Sequence, residues 1–373
     1  MSIDVKSLIL NNVAEPLEEF VITMDDLEKF ISEKEKIVAY CGYEPSGPIH
    51  LGYFPTIQKA IDISKVGKVK ILLADYHAYL NDKGPVELIQ DLAINYWIPT
   101  FKALGVNAEY VLGSEFQLSS DYVHDLFTLA RFVSTKRAIR AVKIILRNTE
   151  SISVAASIYP IMQVLDIIYL GVNLAFGGTD QRKIHALVRD IIGSEIRSLL
   201  RREIRTPVCI HLPIVLGLKK GEKMSSSKPD THIAVHDKPE TIIRKVQKAY
   251  CPPTTTDPSE NPIFSILRFV IFPHTSSFKI DRPEKYGGPV TYNDLDKLER
   301  DFLKGKIHPL DLKNAVAEWI IRRLEPVRNL LEKDPEILRP VYNLQKWNFE
   351  KGYISKASWE ALRSSYRQWL ENI

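Results

Sequence analysis

Three stretches of the chain carry residue types suited to chemistry. The first is Gly42-Tyr43-Glu44-Pro45-Ser46-Gly47-Pro48-Ile49-His50-Leu51-Gly52-Tyr53. An apolar run at 37–40 precedes it, an amphipathic run at 51–66 follows, and a second apolar run occupies 69–74. Strand, glycine-rich turn, helix and strand predict a βαβ unit with parallel pairing and a right-handed crossover. The turn exposes backbone N–H groups at the positive end of a helix dipole, a setting that suits phosphate. Gly47 and Gly52 let a ligand approach the backbone, and His50 can donate to a phosphate oxygen. The alternative is a tight βα turn with an incidental histidine. The second stretch is Gly221-Glu222-Lys223-Met224-Ser225-Ser226-Ser227-Lys228-Pro229, a polar loop with two lysines and three consecutive hydroxyls. The third is the apolar helical run 157–170. There Tyr159, Gln163 and Asp166 recur at i, i+4 and i+7 and share one face. Each unpaired buried polar group costs about 1–3 kcal/mol, so protein partners or a polar ligand must satisfy this stripe.

The rest of the chain must position these groups. Residues 1–22 read as a leader laid on the domain surface, and Thr23 with Asp26 as a capped start to a charged helix ending near Lys36. Residues 75–81 read as a polar-aromatic loop at a strand end, where ligands bind in open α/β sheets. Pro85 opens a helix to about Ala103, and 108–112 read as a third strand. A helical pattern covers 119–147, with Lys136, Arg140, Lys143 and Arg147 on one face. Such a stripe is either a solvated face or a surface that tracks RNA phosphates. A strand at 173–176 ends in Gly177-Gly178-Thr179-Asp180-Gln181, with Asp180 and Gln181 facing the crevice unless Thr179 or Asp180 is an ordinary N-cap. Arg197, Arg201, Arg202 and Arg205 form a basic connection before a strand at 207–211. A linker or long loop is expected at 252–262, followed by a helical region with long helices at 310–331 and 357–370.

Composition narrows the class. With 373 residues, 45% of them hydrophobic, two or three domains with a substantial core are expected. No apolar run reaches membrane-spanning length, and no cleavable signal is expected. Cys41, Cys209 and Cys251 are far apart, which fits a reducing cytoplasm and argues against structural zinc. A net charge of +4 permits an RNA partner without requiring one.

Pro-Ile-His-Leu-Gly at 48 and Lys-Met-Ser-Ser-Ser at 223, in this order, resemble the two signatures of class I aminoacyl-tRNA synthetases. More of the chain, from about 28 to 331, resembles the tyrosyl-tRNA synthetases of archaeal and eukaryotic type. The resemblance extends to Ala-Asp-x-His-Ala-Tyr-Leu-Asn at 74, Gly-Ser-Glu-Phe-Gln-Leu at 113, Tyr-Pro-Ile-Met-Gln-Val at 159, Gln-Arg-Lys-Ile-His at 181 and His-Pro-Leu-Asp-Leu-Lys-Asn at 308. It implies an α/β fold: a doubly wound parallel sheet in a Rossmann-like catalytic domain over 1–250, with a helical insertion at about 116–153 and a mobile signature loop at 221–229. A helical anticodon-binding domain with a C-terminal extension would occupy 251–373.

The same resemblance implies that Tyr40 and Asp166 bind the phenolic OH of tyrosine, and that Tyr159, Gln163 and Gln181 hold its α-ammonium end. It makes His50 and Lys223 the source of catalytic charge. Gly47, His50, Gly52, Lys223, Ser225 and Lys228 would line the ATP site, Mg²⁺ arriving with ATP and no metal held by the protein. Arg140, Arg182 and Lys183 would read the acceptor stem of tRNA, and Tyr286, His308 and Asp311 its anticodon, although His308 or Asp311 also reads as a helix N-cap. A cytoplasmic homodimer joined through the insertion is implied. Two positions depart from the pattern: Tyr53 replaces the second histidine of the first signature, and Ser226 replaces a lysine of the second. A tryptophanyl-type enzyme, an RNA-binding relative without catalysis and a generic nucleotide-binding protein are the rival readings.

Overall fold

The computed structural model describes residues 4–192, 198–200, 204–253 and 258–371. Arg197, Arg201 and Arg202 of the basic connection, and 254–257 of the expected linker, lie outside the described residues. By compactness the chain forms two units, one of residues 1–46 and 56–213, the other of 47–55 and 214–373. Compactness thus divides the chain at 213 rather than at 250, and it assigns both signature stretches to the second unit.

The first unit is built on a six-stranded sheet: β1 (Val21–Ile22), β2 (Val38–Tyr43), β3 (Lys68–Leu73), β4 (Glu109–Leu112), β5 (Leu174–Gly178) and β6 (Val208–Leu212), in the order β1-β6-β5-β2-β3-β4. The chain runs outward from β2 through β3 to β4, then returns to lay β5 and β6 on the other side. That is the doubly wound arrangement, with its switch point between β2 and β5. The pairs β2/β3, β3/β4, β2/β5 and β5/β6 are parallel. Only β1 runs antiparallel, against β6. The N-terminal segment is strapped down as expected: buried Lys59 donates to the carbonyls of Leu8 and Ile9, at 3.0 and 2.8 Å. Thr23 caps the helix Met24–Ser32, accepting from the Asp26 amide.

The core gathers around the helix Ala155–Tyr169, where Val164, Leu165 and Ile167 are sealed from water. Each such side chain contributes about 1.5–3 kcal/mol by burial. Two expectations are corrected in this unit. Residues 75–81 are not a loop; Asp75–Leu80 is a helix whose Asp75 and His77 point inward and are buried. The pattern at 119–147 is two helices, Ser120–Ala130 and Thr135–Val142, the second capped by Ser134. Lys143 therefore only caps the second helix, and Arg147 lies past it. The Arg147 backbone N–H donates to Asn81 Oδ1 at 2.8 Å, and its guanidinium to the Asp82 carbonyl, so the stripe is not one helix face.

The second unit is helical apart from a short antiparallel ribbon, β7 (Phe278–Ile280) with β8 (Val290–Tyr292). The helix expected at 310–331 is broken into Pro309–Arg323 and Glu325–Lys333. Pro326 explains the break, because its ring clashes with the preceding turn and it has no N–H to donate. Two further helices follow, Arg339–Glu350 and Lys356–Tyr366.

Candidate active site

Asp166 is the centre of a buried polar cluster in the first unit. It has no exposed surface. Its Oδ1 accepts from Gln117 Nε2 at 2.9 Å and from the Tyr122 hydroxyl at 2.8 Å. Its Oδ2 is buried with no hydrogen-bond partner among the described residues, and the nearest cationic candidate, His77 Nε2, stands 3.5 Å away. Burial raises the Asp166 carboxyl to about 7, against the lowering effect of Gln117 and Tyr122. Burial also drives His77 down to about 3, so this ring is neutral. Tyr40, on β2, is 2% exposed, and its hydroxyl is pushed well above its ordinary value by burial and then by the charge of Asp166. One carboxylate oxygen is thus left unspent in a buried cluster whose charge also acts on the Tyr40 phenol.

The other members of the stripe point the same way. The Tyr159 hydroxyl donates to Glu44 Oε1 at 2.5 Å, and Asn81 Nδ2 holds both oxygens of that carboxylate at 3.1 Å. Gln163 Nε2 donates to Gln181 Oε1 at 3.1 Å, joining the helix to the turn after β5. Neither Thr179 nor Asp180 caps that turn with its side chain; Gly178 occupies the cap position. Asp75 accepts from the Ser114 amide and from Gln90 Nε2, each at 2.9 Å. Sequence reasoning gave no role to Glu44, His77, Asn81, Gln117 or Tyr122. Four of these five lie inside the quoted motifs, which was the available signal.

In the second unit the first signature is laddered through backbone to residues 233–235, just past the second signature. Leu51 N donates to Ile233 O and Val235 N to Ile49 O, each at 3.0 Å. His50 is 6% exposed, with its Nδ1 accepting from the Gly52 amide at 3.1 Å. The proton of this ring therefore sits on Nε2. Burial, then His232 and Lys245, hold His50 well below its ordinary value, so it is a neutral donor and not a source of charge. Gly52 is required here, since a Cβ would lie 2.8 Å from the His50 ring. Tyr53, in place of the second signature histidine, packs its ring 4.5 Å from that of His50.

His232, which the sequence did not single out, ties the second signature down. Its Nδ1 donates to the carbonyls of Ser225, at 2.8 Å, and Lys228, at 3.2 Å. Its ring lies 5.1 Å from that of His50. The Ser225 hydroxyl meets that of Ser227 at 3.1 Å, and Lys228 pairs with Glu222 at 3.1 Å. Lys223 is exposed and has no ion pair among the described residues.

A family model described as tRNA synthetases class I (W and Y) matches residues 32–325. A tyrosine–tRNA ligase of Methanopyrus kandleri is 47% identical over 312 residues, which is 83% of this chain and 93% of that protein. The chain belongs to the tyrosine–tRNA ligases of class I. A tyrosyl-tRNA synthetase structure from Archaeoglobus fulgidus, complexed with L-tyrosine, superposes with a TM-score of 0.78 at 45% identity, covering 87% of this chain and 97% of that one. Its counterpart from Pyrococcus horikoshii, also with L-tyrosine, gives 0.83 at 34% identity, covering 91% and 100%. Within this family the chain keeps both signature segments, and its buried aspartate sits on the helix Ala155–Tyr169 with Tyr159 and Gln163.

Arg140 and Lys183 are exposed, while Arg182 Nε donates to the Glu19 carbonyl at 2.8 Å. Tyr286 is 61% exposed. His308 caps the helix Pro309–Arg323 through Nδ1, accepting from the Leu310 amide at 3.1 Å, which is the alternative reading of that residue. Asp311 lies in the first turn of the same helix.

Proposed function

We propose that the chain activates L-tyrosine with ATP and transfers it to the 3′ end of tRNA(Tyr), by the following division of labour. The tyrosine carboxylate attacks the α-phosphorus of ATP; the new O–P bond forms as the bond to pyrophosphate breaks. A terminal ribose hydroxyl of tRNA then attacks the adenylate carbonyl and AMP leaves. Neither step needs a protein nucleophile, so catalysis rests on positioning and on stabilising charge at phosphorus. Tyr40 and Asp166 receive the phenolic OH, and Tyr159, Gln163 and Gln181 the ammonium end. Gly47, Gly52, Ser225 and Lys228 line the ATP site, with Mg²⁺ brought by ATP. His50 donates Nε2–H to phosphate, and Lys223 supplies the mobile positive charge.

The observation that carries this reading is the unspent Oδ2 of buried Asp166, whose charge acts on the buried Tyr40 hydroxyl. A site built around a hydroxyl rejects the analogue without it, because its own polar groups are then left unpaired. For tyrosine over phenylalanine the figure belonging to this enzyme class itself is about 10⁵. Functionally, 1–250 would be the catalytic region and 251–373 the anticodon-binding region with its extension. Arg140, Arg182 and Lys183 would serve the acceptor stem, and Tyr286, His308 and Asp311 the anticodon.

The insertion at 116–153 exposes Leu118, Phe127, Phe132 and Ile144, at 58, 68, 45 and 55%. Exposed apolar groups fit an interface, and a cytoplasmic homodimer through this insertion is the assembly proposed. Phe127→Asp should shift the particle from twice 42.6 kDa to the single-chain mass in light scattering; an unchanged dimer would place the interface elsewhere. The activity is tested by ATP–pyrophosphate exchange with tyrosine, phenylalanine and tryptophan, without tRNA. Exchange with tyrosine alone is expected. Exchange with tryptophan would overturn the role of Asp166, and none with any of the three would leave an RNA-binding protein.

A further inference from the structure

Gly47 of the first signature and Ser226 of the second meet at one point, and a third group is there with them. A Cβ on Gly47 would lie 2.5 Å from Gln345 Nε2 and 2.7 Å from Ser226 Cβ. Gln345 belongs to the helix Arg339–Glu350, beyond the residues matched by the family model. It is 1% exposed, and its Oε1 is buried with no hydrogen-bond partner among the described residues. An orphaned buried acceptor costs about 1–3 kcal/mol. Such a cost is tolerable where a second state of the site supplies the missing donor.

The same C-terminal region also holds the segment just past the second signature. Trp369 Nε1 donates to the His236 carbonyl at 2.8 Å, and the Tyr366 ring packs 5.4 Å from that of His236. His236 directly follows the 233–235 segment whose backbone bonds hold residues 49–51.

We infer that Gln345 is a positioning residue of the ATP-dependent step: its amide sets the spacing between the Gly47 turn and the Ser226 loop, at the position where the loop carries a serine in place of lysine. This rests on the ligase reading above. Packed against Gly47, the amide stops that turn from collapsing onto the loop. Its free Oε1 is an acceptor for the hydroxyls of the loop when ATP draws the loop in. Tyrosine recognition, built from groups of the other unit, is not its business.

The test is tyrosine-dependent ATP–pyrophosphate exchange with Gln345→Met, which conserves volume, and Gln345→Glu, which conserves shape but removes the amide donors. The expected result is a rise of about tenfold in the KM for ATP, the size of one lost buried hydrogen bond, with the KM for tyrosine within about twofold of the parent. A merely structural role would lower the active fraction and leave both KM values in place. Thermal melting reports folding, and the apolar Met variant decides should buried Glu unfold the chain. Combining Ser226→Ala with Gln345→Met should give less than the product of the single effects, because the two side chains share one contact. An ATP KM within about twofold of the parent in folded variants, or strictly multiplicative effects, would overturn the assignment. Lack of exchange in the parent chain would instead overturn the ligase reading, and the assignment with it.

Discussion

Asp166→Asn separates what the buried carboxylate does for tyrosine from what it does to the fold. Asparagine keeps the shape, and its Oδ1 can still accept from Gln117 and Tyr122. What is lost is the charge at the unspent oxygen. A hydrogen bond to a charged group contributes about 1.5–3 kcal/mol, so kcat/KM for tyrosine should fall by about 10- to 150-fold at pH 8. The stability effect has the opposite sign. The folded carboxyl is held at about 7 against an ordinary 3.8. A raised acid favours the folded state fully below the unfolded value and loses that advantage as pH rises through the folded value. Above pH 7 the fold therefore carries a desolvated carboxylate, at a cost on the order of 4 kcal/mol. Asn removes that cost, so the variant should melt higher than the parent at pH 8, and the difference should shrink towards pH 5. Exchange kinetics at varied tyrosine, with melting curves at the two pH values, check both halves. Unchanged tyrosine kinetics would remove Asp166 from the site. A variant equally destabilised at pH 5 and 8 would make the residue structural.

Lys223→Ala should lower the rate of tyrosyl-adenylate formation in single-turnover experiments by more than it weakens ATP binding; a pure binding defect would refute a transition-state role for this exposed ammonium. Arg140→Ala should leave pyrophosphate exchange intact and slow tRNA charging, the loss shrinking at high salt because phosphate contacts are screened; equal loss in both assays would refute the RNA contact. Acid should destabilise the chain well before its ordinary carboxylates are protonated. Burial holds His77 and His232 down to about 3 and His211 and His236 to about 4, so the unfolded chain takes up these protons first. Their stabilisation is complete above about pH 6.5 and is lost as pH falls towards 4, which should appear as a steep fall in Tm over that window; a flat Tm would show these rings charged in the fold.

Periodicity made the Tyr159–Gln163–Asp166 stripe legible, because a polar face on an otherwise apolar helix repeats at 3.6 residues. The partners of Asp166 were not legible. Gln117 and Tyr122 are 49 and 44 residues away in sequence and meet the carboxylate only through tertiary packing. The strands β2, β3, β4 and β6 stood out as short apolar runs, whereas the two-residue β1 and the ribbon β7–β8 are too short to imprint a period. The segment 75–81 misled because its polar and aromatic residues resemble a solvated loop; Asp75, His77 and Asn81 are buried, while Tyr79 stays exposed. The long helix expected at 310–331 ignored Pro326, whose effect local chemistry does predict. Gln345 gave no sequence signal, since it acts through a packing contact with a distant loop, and His232 lies just past the stretch the sequence singled out.

The distribution of these groups has a consequence for mutational data. Every side chain proposed to hold tyrosine belongs to the first compact unit, and both signatures belong to the second together with the C-terminal helices. Within the second unit the first signature is laddered to the segment just past the second, Leu51 to Ile233 and Val235 to Ile49, with a neutral His50 beside a neutral His232. A change in the helices at 339–366 therefore has a direct mechanical route to the ATP loops, while a change around Asp166 has one to the phenol pocket. The two classes of variant should separate in kinetics, one moving the KM for ATP and the other the KM for tyrosine. A variant such as His232→Gln, which loses the hold on the Ser225 and Lys228 carbonyls, belongs to the first class by this reasoning. If it instead weakened tyrosine binding with ATP affinity intact, the second signature would owe its position to something other than this histidine.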